Sequence, residues 1–281
     1  MAQKTVGILG CGWLGMALLQ QLARQPERYR LRGSSRSAER LATITSLGAE
    51  AYPLDLPVHA GEGAFTRGLD TLIITLPPGG RRWKSETTER YLAALRPLAD
   101  WNTDLHCIYT SSIGIYGDTE GEVDETTPPA PTTASGRAVL AAERWLRQTY
   151  AELTVLRLGG LVGPGRHPGR FFGGRDRKIP NGEAPVNLVT QAEAVAALAK
   201  AIQSTGLNVC NVVGEMHPPK GPYYGAAAAS LNLPVPEWTP GGKGAKIVRS
   251  DRLRQRTNWA PEPNALKKFI SASDFNDNPP S

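Results

Sequence analysis

Cysteine and histidine are scarce in this chain, and the few present do not converge. Cys11, Cys107 and Cys210 are odd in number, far apart and set among apolar residues. Such a scattering excludes a disulfide framework and reads as reduced thiols of a cytoplasmic protein. His59, His106, His167 and His217 show no ligand spacing, so no metal site is expected. No run of about 18 apolar residues occurs, which leaves no candidate transmembrane helix and no expected membrane partner. The chain passes from Lys4 straight into Val6, Ile8 and Leu9, without the long apolar core of a secretory signal. Aromatic residues amount to 7% and do not interleave with the basic runs. With no recognised nucleic-acid module either, nucleic acid is not an expected partner.

What remains is a chain of 281 residues, 40% hydrophobic and 21% charged, the balance of a globular protein rather than a disordered one. At about 150 residues per domain, that length suits one large domain or a core domain with a smaller attachment. The 30 glycines and 23 prolines predict frequent turns. Short apolar runs read as strands at Thr5–Leu9, Arg30–Gly33, Glu50–Leu54, Thr71–Leu76, Leu105–Thr110, Thr154–Leu158 and Leu207–Val213. Between them, helical spacing covers Trp13–Arg24, Ala38–Leu47, Trp83–Trp101, Ser135–Tyr150 and Gln191–Gln203. This alternation predicts an α/β fold, a doubly wound parallel Rossmann sheet with a small C-terminal substrate lobe. The expected dinucleotide-binding domain is 1–165, completed by about 188–213. The lobe takes 166–187 and 214–272, and 273–281 is expected as a flexible tail.

Between the first strand and first helix stands Gly10-Cys11-Gly12-Trp13-Leu14-Gly15, a G-x-G-x-x-G pattern in its β-α-β context. The first two glycines allow the turn and let backbone N–H groups approach a diphosphate; the third lets the helix pack closely. A tight turn with no ligand is the competing reading. After the second strand the chain reads Arg32-Gly33-Ser34-Ser35-Arg36, with no carboxylate to grip a ribose 2′-hydroxyl. Arg36 can pair with a 2′-phosphate, helped by Ser34 and Ser35, so NADP(H) is expected over NAD(H). Asp55-Leu56, after the third strand, is a candidate adenine contact.

With these residues in place, the chain resembles the extended short-chain dehydrogenase/reductase superfamily and, within it, the YeeZ family. The likeness rests on Gly7–Met16, Ile73–Pro77, Tyr109–Asp118, Gly160–Phe172 and Gly242–Val248. It implies a Rossmann domain and cofactor contacts at Gly10, Gly12, Trp13, Leu14, Gly15, Thr75 and Pro77. It also implies Ser…Tyr-x-x-x-Lys chemistry, in which Ser112 takes the Ser position. Thr133 stands where the Tyr belongs and Arg137 where the Lys belongs. An aliphatic hydroxyl is a far weaker acid than a phenol, and Arg137 can bridge ribose hydroxyls but not deprotonate. The usual proton relay is therefore absent.

Tyr116 and His167 are the candidate replacements for the acid/base, each with a packing or backbone-bonded alternative. Arg166 and Arg170 suit an anionic substrate group, and Asn187 opens a segment where the superfamily often contacts substrate. Thr190-Gln191-Ala192-Glu193 stands where a His-x-x-Asp pattern is expected and is read as packing. Three basic clusters carry the net charge of +6. Residues 1–40 hold seven basic against two acidic groups, 166–178 five against one, and 243–256 six against one. They flank the expected cofactor and substrate lips, which favours a small anionic ligand. Two functions stand at this point. One is an NADP(H)-dependent oxidoreductase or epimerase-like enzyme with an atypical acid/base; the other is a non-catalytic NADP(H)-binding sensor. Oligomeric state is not readable from the sequence; superfamily relatives are often dimers through helix pairs, and for a homodimer the helices at Trp83–Trp101 and Ser135–Tyr150 are the candidates.

Overall fold

The computed structural model describes residues 3–55, 63–79, 84–175 and 178–270. In chain order the first half is β1 (Lys4–Leu9), α1 (Trp13–Leu22), β2 (Tyr29–Ser34), α2 (Ala38–Ser46), β3 (Glu50–Tyr52), α3 (Gly63–Thr66), β4 (Thr71–Ile74), α4 (Thr87–Leu95) and β5 (His106–Ser112). There follow β6 (Gly121–Val123), α5 (Ala134–Thr149), β7 (Glu152–Leu158), β8 (Gly160–Val162), α6 (Gly169–Phe172), β9 (Leu188–Thr190) and α7 (Gln191–Ile202). The remainder is β10 (Val209–Val212), α8 (Lys220–Ala229), β11 (Lys246–Val248) and α9 (Asp251–Thr257).

Seven strands form one parallel sheet in the order β3-β2-β1-β4-β5-β7-β10. Its strands are apolar on both sides because helices cover both faces. One layer packs Leu14, Leu18 and Leu19 of α1, Ile44 of α2 and Ala194 and Leu198 of α7 against Val6, Ile8 and Ile73. The other sets Tyr91 and Leu95 of α4 and Ala138, Ala142 and Leu146 of α5 against Leu9, Leu72, Ile74 and Cys107. All three cysteines are buried free thiols. The chain runs outward from β1 to β3 and then returns to β4 on the other side of β1. The carboxyl ends of β1 and β4 thus flank the switch point, where open α/β sheets bind ligands.

Two differences from the sequence reading have identifiable causes, one local and one distant in sequence. The helix expected over Trp83–Trp101 is α only at Thr87–Leu95, with 3-10 turns at Lys84–Glu86 and Arg96–Asp100. Pro97 has no N–H to donate to the preceding turn, so the regular ladder stops before it. The strand expected to end at Thr110 runs on to Ser112, because Ser111 and Ser112 pair with Arg157 and Leu158 of β7. Two small parallel pairs, β6 with β11 and β8 with β9, lie outside the main sheet. Beside the second pair a separate apolar cluster gathers Val162, Val186, Leu188, Tyr223, Tyr224, Leu266 and Phe269.

Candidate functional site

The glycine turn is held from three directions. Gly10, at φ +98°, donates its N–H to Ser34 Oγ at 2.9 Å, and Thr75 donates its hydroxyl to Gly10 O at 2.6 Å. Cys11 N–H reaches Ser34 O at 2.7 Å. Gly15 sits so close beneath this turn that a Cβ there would lie 2.6 Å from Gly10 O and 2.8 Å from Thr75 Oγ1. Gly12 differs, since a Cβ there meets nothing nearer than Gly10 O at 3.9 Å. Space is thus left beside the first amides of α1, whose first turn carries no acidic residue. That combination fits a dinucleotide diphosphate: free N–H groups, the positive end of a helix and no side chain in the way.

Around this turn the expected cofactor residues fall into two groups. Leu14 is buried in the core, so only its backbone is available to a ligand. Trp13 donates its indole N–H to Pro164 O at 2.7 Å, and Gln191 donates its side-chain N–H to Trp13 O at 2.9 Å. The Gly163–Arg166 loop is thereby tied to the glycine turn. Pro77 follows Leu76, whose carbonyl accepts the Tyr91 hydroxyl at 2.8 Å. At the expected ribose end, Ser34 is buried, and Ser35 Oγ accepts from Ser37 N–H at 3.2 Å. Arg36 is exposed and meets an equally exposed Asp55 at 3.4 Å, brought there by the parallel pairing of β2 with β3. Leu56 lies outside the described residues, as do His59, Trp83 and the tail.

Ser112 ends β5 half-buried, and its Oγ accepts from Gly114 N–H at 3.0 Å. Its own proton remains available to a substrate oxygen. Thr133 is exposed and caps α5, accepting from Gly136 N–H at 3.0 Å. Arg137, one turn on, is exposed and donates to Thr132 O at 3.2 Å. The Tyr-x-x-x-Lys positions are therefore occupied by a helix cap and a surface cation.

Tyr116 has another task from the one weighed for it. It is fully buried, and its hydroxyl donates to Asn211 Oδ1 and accepts from Arg157, both at 2.9 Å. Arg157 also forks onto Glu143 at 2.8 and 3.1 Å, and Glu143 accepts from Ser111 at 2.5 Å. Burial raises the Tyr116 phenol, against the lowering charge of Arg157, which keeps it neutral. The physical reason is satisfaction: a phenol with both hydrogen-bond directions used inside the core is a strut, not a titrating acid.

His167 accepts Gly169 N–H on Nδ1 at 3.2 Å and meets the Phe269 ring at 5.3 Å. Burial, then the charge of Arg170, lowers its pKa, so the ring is neutral near pH 7. Arg166 and Arg170 are both exposed, and the Arg166 guanidinium lies over the Trp13 ring at 4.9 Å. Asn187 uses both ends of its side chain on β11, donating to Lys246 O and accepting from Val248 N–H, each at 2.8 Å. With both ends taken, it positions a strand. Glu193 forms a capping box with Thr190, the packing role expected of that segment. A cleft of about 700 Å³ opens between α1 and α7, lined by Gln20, Arg24, Gly165, His167, Gln191 and Phe269 among others. It lies on the helical flank, and of the candidate catalytic, cofactor and substrate residues it holds His167, beside Thr190, Gln191 and Ala192 of the packing segment. Among the described residues no group of three or more His, Cys, Asp or Glu could hold a metal, and no helix is long and apolar enough to cross a membrane.

Sequence reasoning missed Lys220 and Lys246. They are half-buried cations beside the Gly117–Asp118 turn, and Lys246 donates to Gly117 O. The Gly242–Val248 match contained Lys246, but a three-residue strand gives no periodicity by which to place it.

Protein YeeZ of Escherichia coli strain K12 is 35% identical to this chain over 263 residues, spanning 89% of the chain and 93% of the relative. The chain belongs to the YeeZ family. No protein-family model matches it. Among solved structures, a proposed NAD-dependent epimerase/dehydratase from Methylobacillus flagellatus superposes on this YeeZ-family chain with a TM-score of 0.71 at 25% identity. That match covers 90% of this chain and 92% of the other. MoeE5 in complex with UDP-glucose and NAD reaches 0.76 at 17% identity, covering 94% and 96%, which shows the shared Rossmann-type fold.

Proposed function

We propose that this protein binds a nicotinamide dinucleotide, NADP(H) in preference, and acts as an epimerase-like oxidoreductase on an anionic small molecule. The observation that carries the reading is the glycine turn at the β1/β4 switch point, closed by Gly10 and Gly15 and open at Gly12. Likeness in fold to structures solved in complex with NAD supports a nicotinamide cofactor, and the missing carboxylate after β2 supports the phosphorylated form. The bound nicotinamide would supply reversible hydride exchange. The first amides of α1 would hold the diphosphate and Arg36 the 2′-phosphate, leaving its loose pair with Asp55. Ser112 would orient the reacting oxygen by donating its hydroxyl proton.

Thr133 and Arg137 favour a second reading, a non-catalytic NADP(H)-dependent sensor, because neither reproduces a titrating phenol and its lysine. Nicotinamide fluorescence tests the cofactor: NADPH should bind more tightly than NADH, and equal affinities would sink the Arg36 argument. Hydride transfer from chirally deuterated NADPH across carbonyl and nucleotide-sugar substrates separates the two functions. Transfer abolished by Ser112→Ala identifies the enzyme; binding without transfer identifies the sensor.

A further inference from the structure

The small lobe meets the Ser112 segment through β11. Lys246 opens that strand opposite Gly121, and its ammonium reaches Gly117 O. Asn187 holds the strand in place from both sides of its amide. Lys220, the first residue of α8, is anchored through its backbone N–H to Ala184 O at 2.9 Å. Its side chain is half-buried in the same neighbourhood. Asp118 acts electrostatically on both lysines, yet among the described residues the lysine ion pair within 4.0 Å is the exposed Lys178–Glu237. Burial holds both ammonium groups below the ordinary lysine value, and Lys246 is lowered further by the charge of Lys220. Two half-buried cations with no carboxylate within 4.0 Å among the described residues cost stability, and an anion seated between them would reduce that cost beyond what Asp118 supplies.

We propose that Lys220 and Lys246, with the Gly117–Asp118 turn, form the subsite for the anionic group of the substrate, a phosphate or carboxylate. This rests on the functional reading above and specifies it. The 3-10 turn Ile113–Tyr116 separates Ser112 from Gly117. At about 2 Å per residue that is roughly 10 Å, the length of a small phosphorylated or carboxylated metabolite. Arg166 and Arg170, expected for this task from their charge and their loop, are both exposed, Arg166 with its guanidinium over Trp13. Neither arginine shares the half-buried setting of Lys220 and Lys246.

The test is acetylation of the full chain at pH 7.5 and constant ionic strength, read lysine by lysine by peptide mass spectrometry. Inorganic phosphate or malonate, at about twice its dissociation constant, should slow the labelling of Lys220 and Lys246 about threefold and leave Lys178 unchanged. Lys220→Met should raise the dissociation constant of phosphate about tenfold, while the fluorescence titration of NADPH stays as in the wild type. Absence of protection by both anions overturns the proposal, as does equal slowing at Lys178. Loss of NADPH affinity in Lys220→Met also overturns it, because the pair would then serve the cofactor. The protection experiment uses wild-type protein without cofactor, so a protein that fails to bind NADPH defeats the functional reading separately.

Discussion

At Gly15 a methyl group would press against Gly10 O and Thr75 Oγ1, whereas at Gly12 it would meet open space. The two glycines therefore answer to different demands, one to packing and one to ligand approach. Gly15→Ala should lose about 1–3 kcal/mol of stability in urea unfolding, the usual effect of forcing a methyl into filled space. Gly12→Ala should unfold within about 1 kcal/mol of the wild type yet bind NADPH at least about tenfold more weakly. Equal binding by Gly12→Ala and wild type would mean that the turn carries no diphosphate. Arg36 is as separable. Its exposed pair with Asp55 is worth about 0–1 kcal/mol, so Arg36→Glu should leave the unfolding curve nearly unchanged. The same variant should invert the proposed NADPH-over-NADH preference in fluorescence titrations.

Among the elements, α5 shows most plainly how one residue's work changes. Its first turn is where a Tyr-x-x-x-Lys would stand, and Thr133 caps it instead. Thr133→Ala should lower stability by about 1 kcal/mol, through loss of the cap. Deeper on the same helix, Glu143 ties α5 to β5 through Ser111 and to β7 through Arg157. Arg157→Met strands a buried carboxylate and removes the donor to the Tyr116 hydroxyl, so about 3–5 kcal/mol should be lost in urea unfolding. Elements with strong periodicity were legible from sequence: α1, α2, α5, α7 and the strands of the main sheet. Those that failed had a local or a distant cause. Pro97 cut the long helix, while the three-residue strands β6, β8, β9 and β11 exist only because partners distant in sequence fix them.

Over the whole molecule, the histidines act together. His106, His167 and His217 each have a pKa lowered first by burial. The unfolded chain, near the ordinary 6.5, then binds protons before the folded one does. Stability should be fully present above pH 6.5 and fall as pH drops toward 5, as measured by urea midpoints. His106→Asn should flatten that slope, removing a ring bonded to Thr154 Oγ1 at 2.9 Å. Loss from carboxylates such as Asp124, held low by hydrogen bonds from Thr126 and Thr127, comes only at more acid pH. The cofactor side of the candidate site was largely readable, because a glycine turn between a strand and a helix is a local event. The catalytic and substrate side was not, because Tyr116, Asn187 and Lys246 take their meaning from residues 95, 59 and 129 positions away. The sequence by itself determined the alternating α/β architecture, the glycine turn, an Arg36 with no carboxylate at the end of β2 and the missing phenol, since each is written in neighbouring residues. Only the tertiary structure decided that Tyr116 is a strut, that Asn187 holds a strand and that Lys246 reaches back to the Gly117 carbonyl. Burial and the pairing of polar groups depend on which distant segments meet.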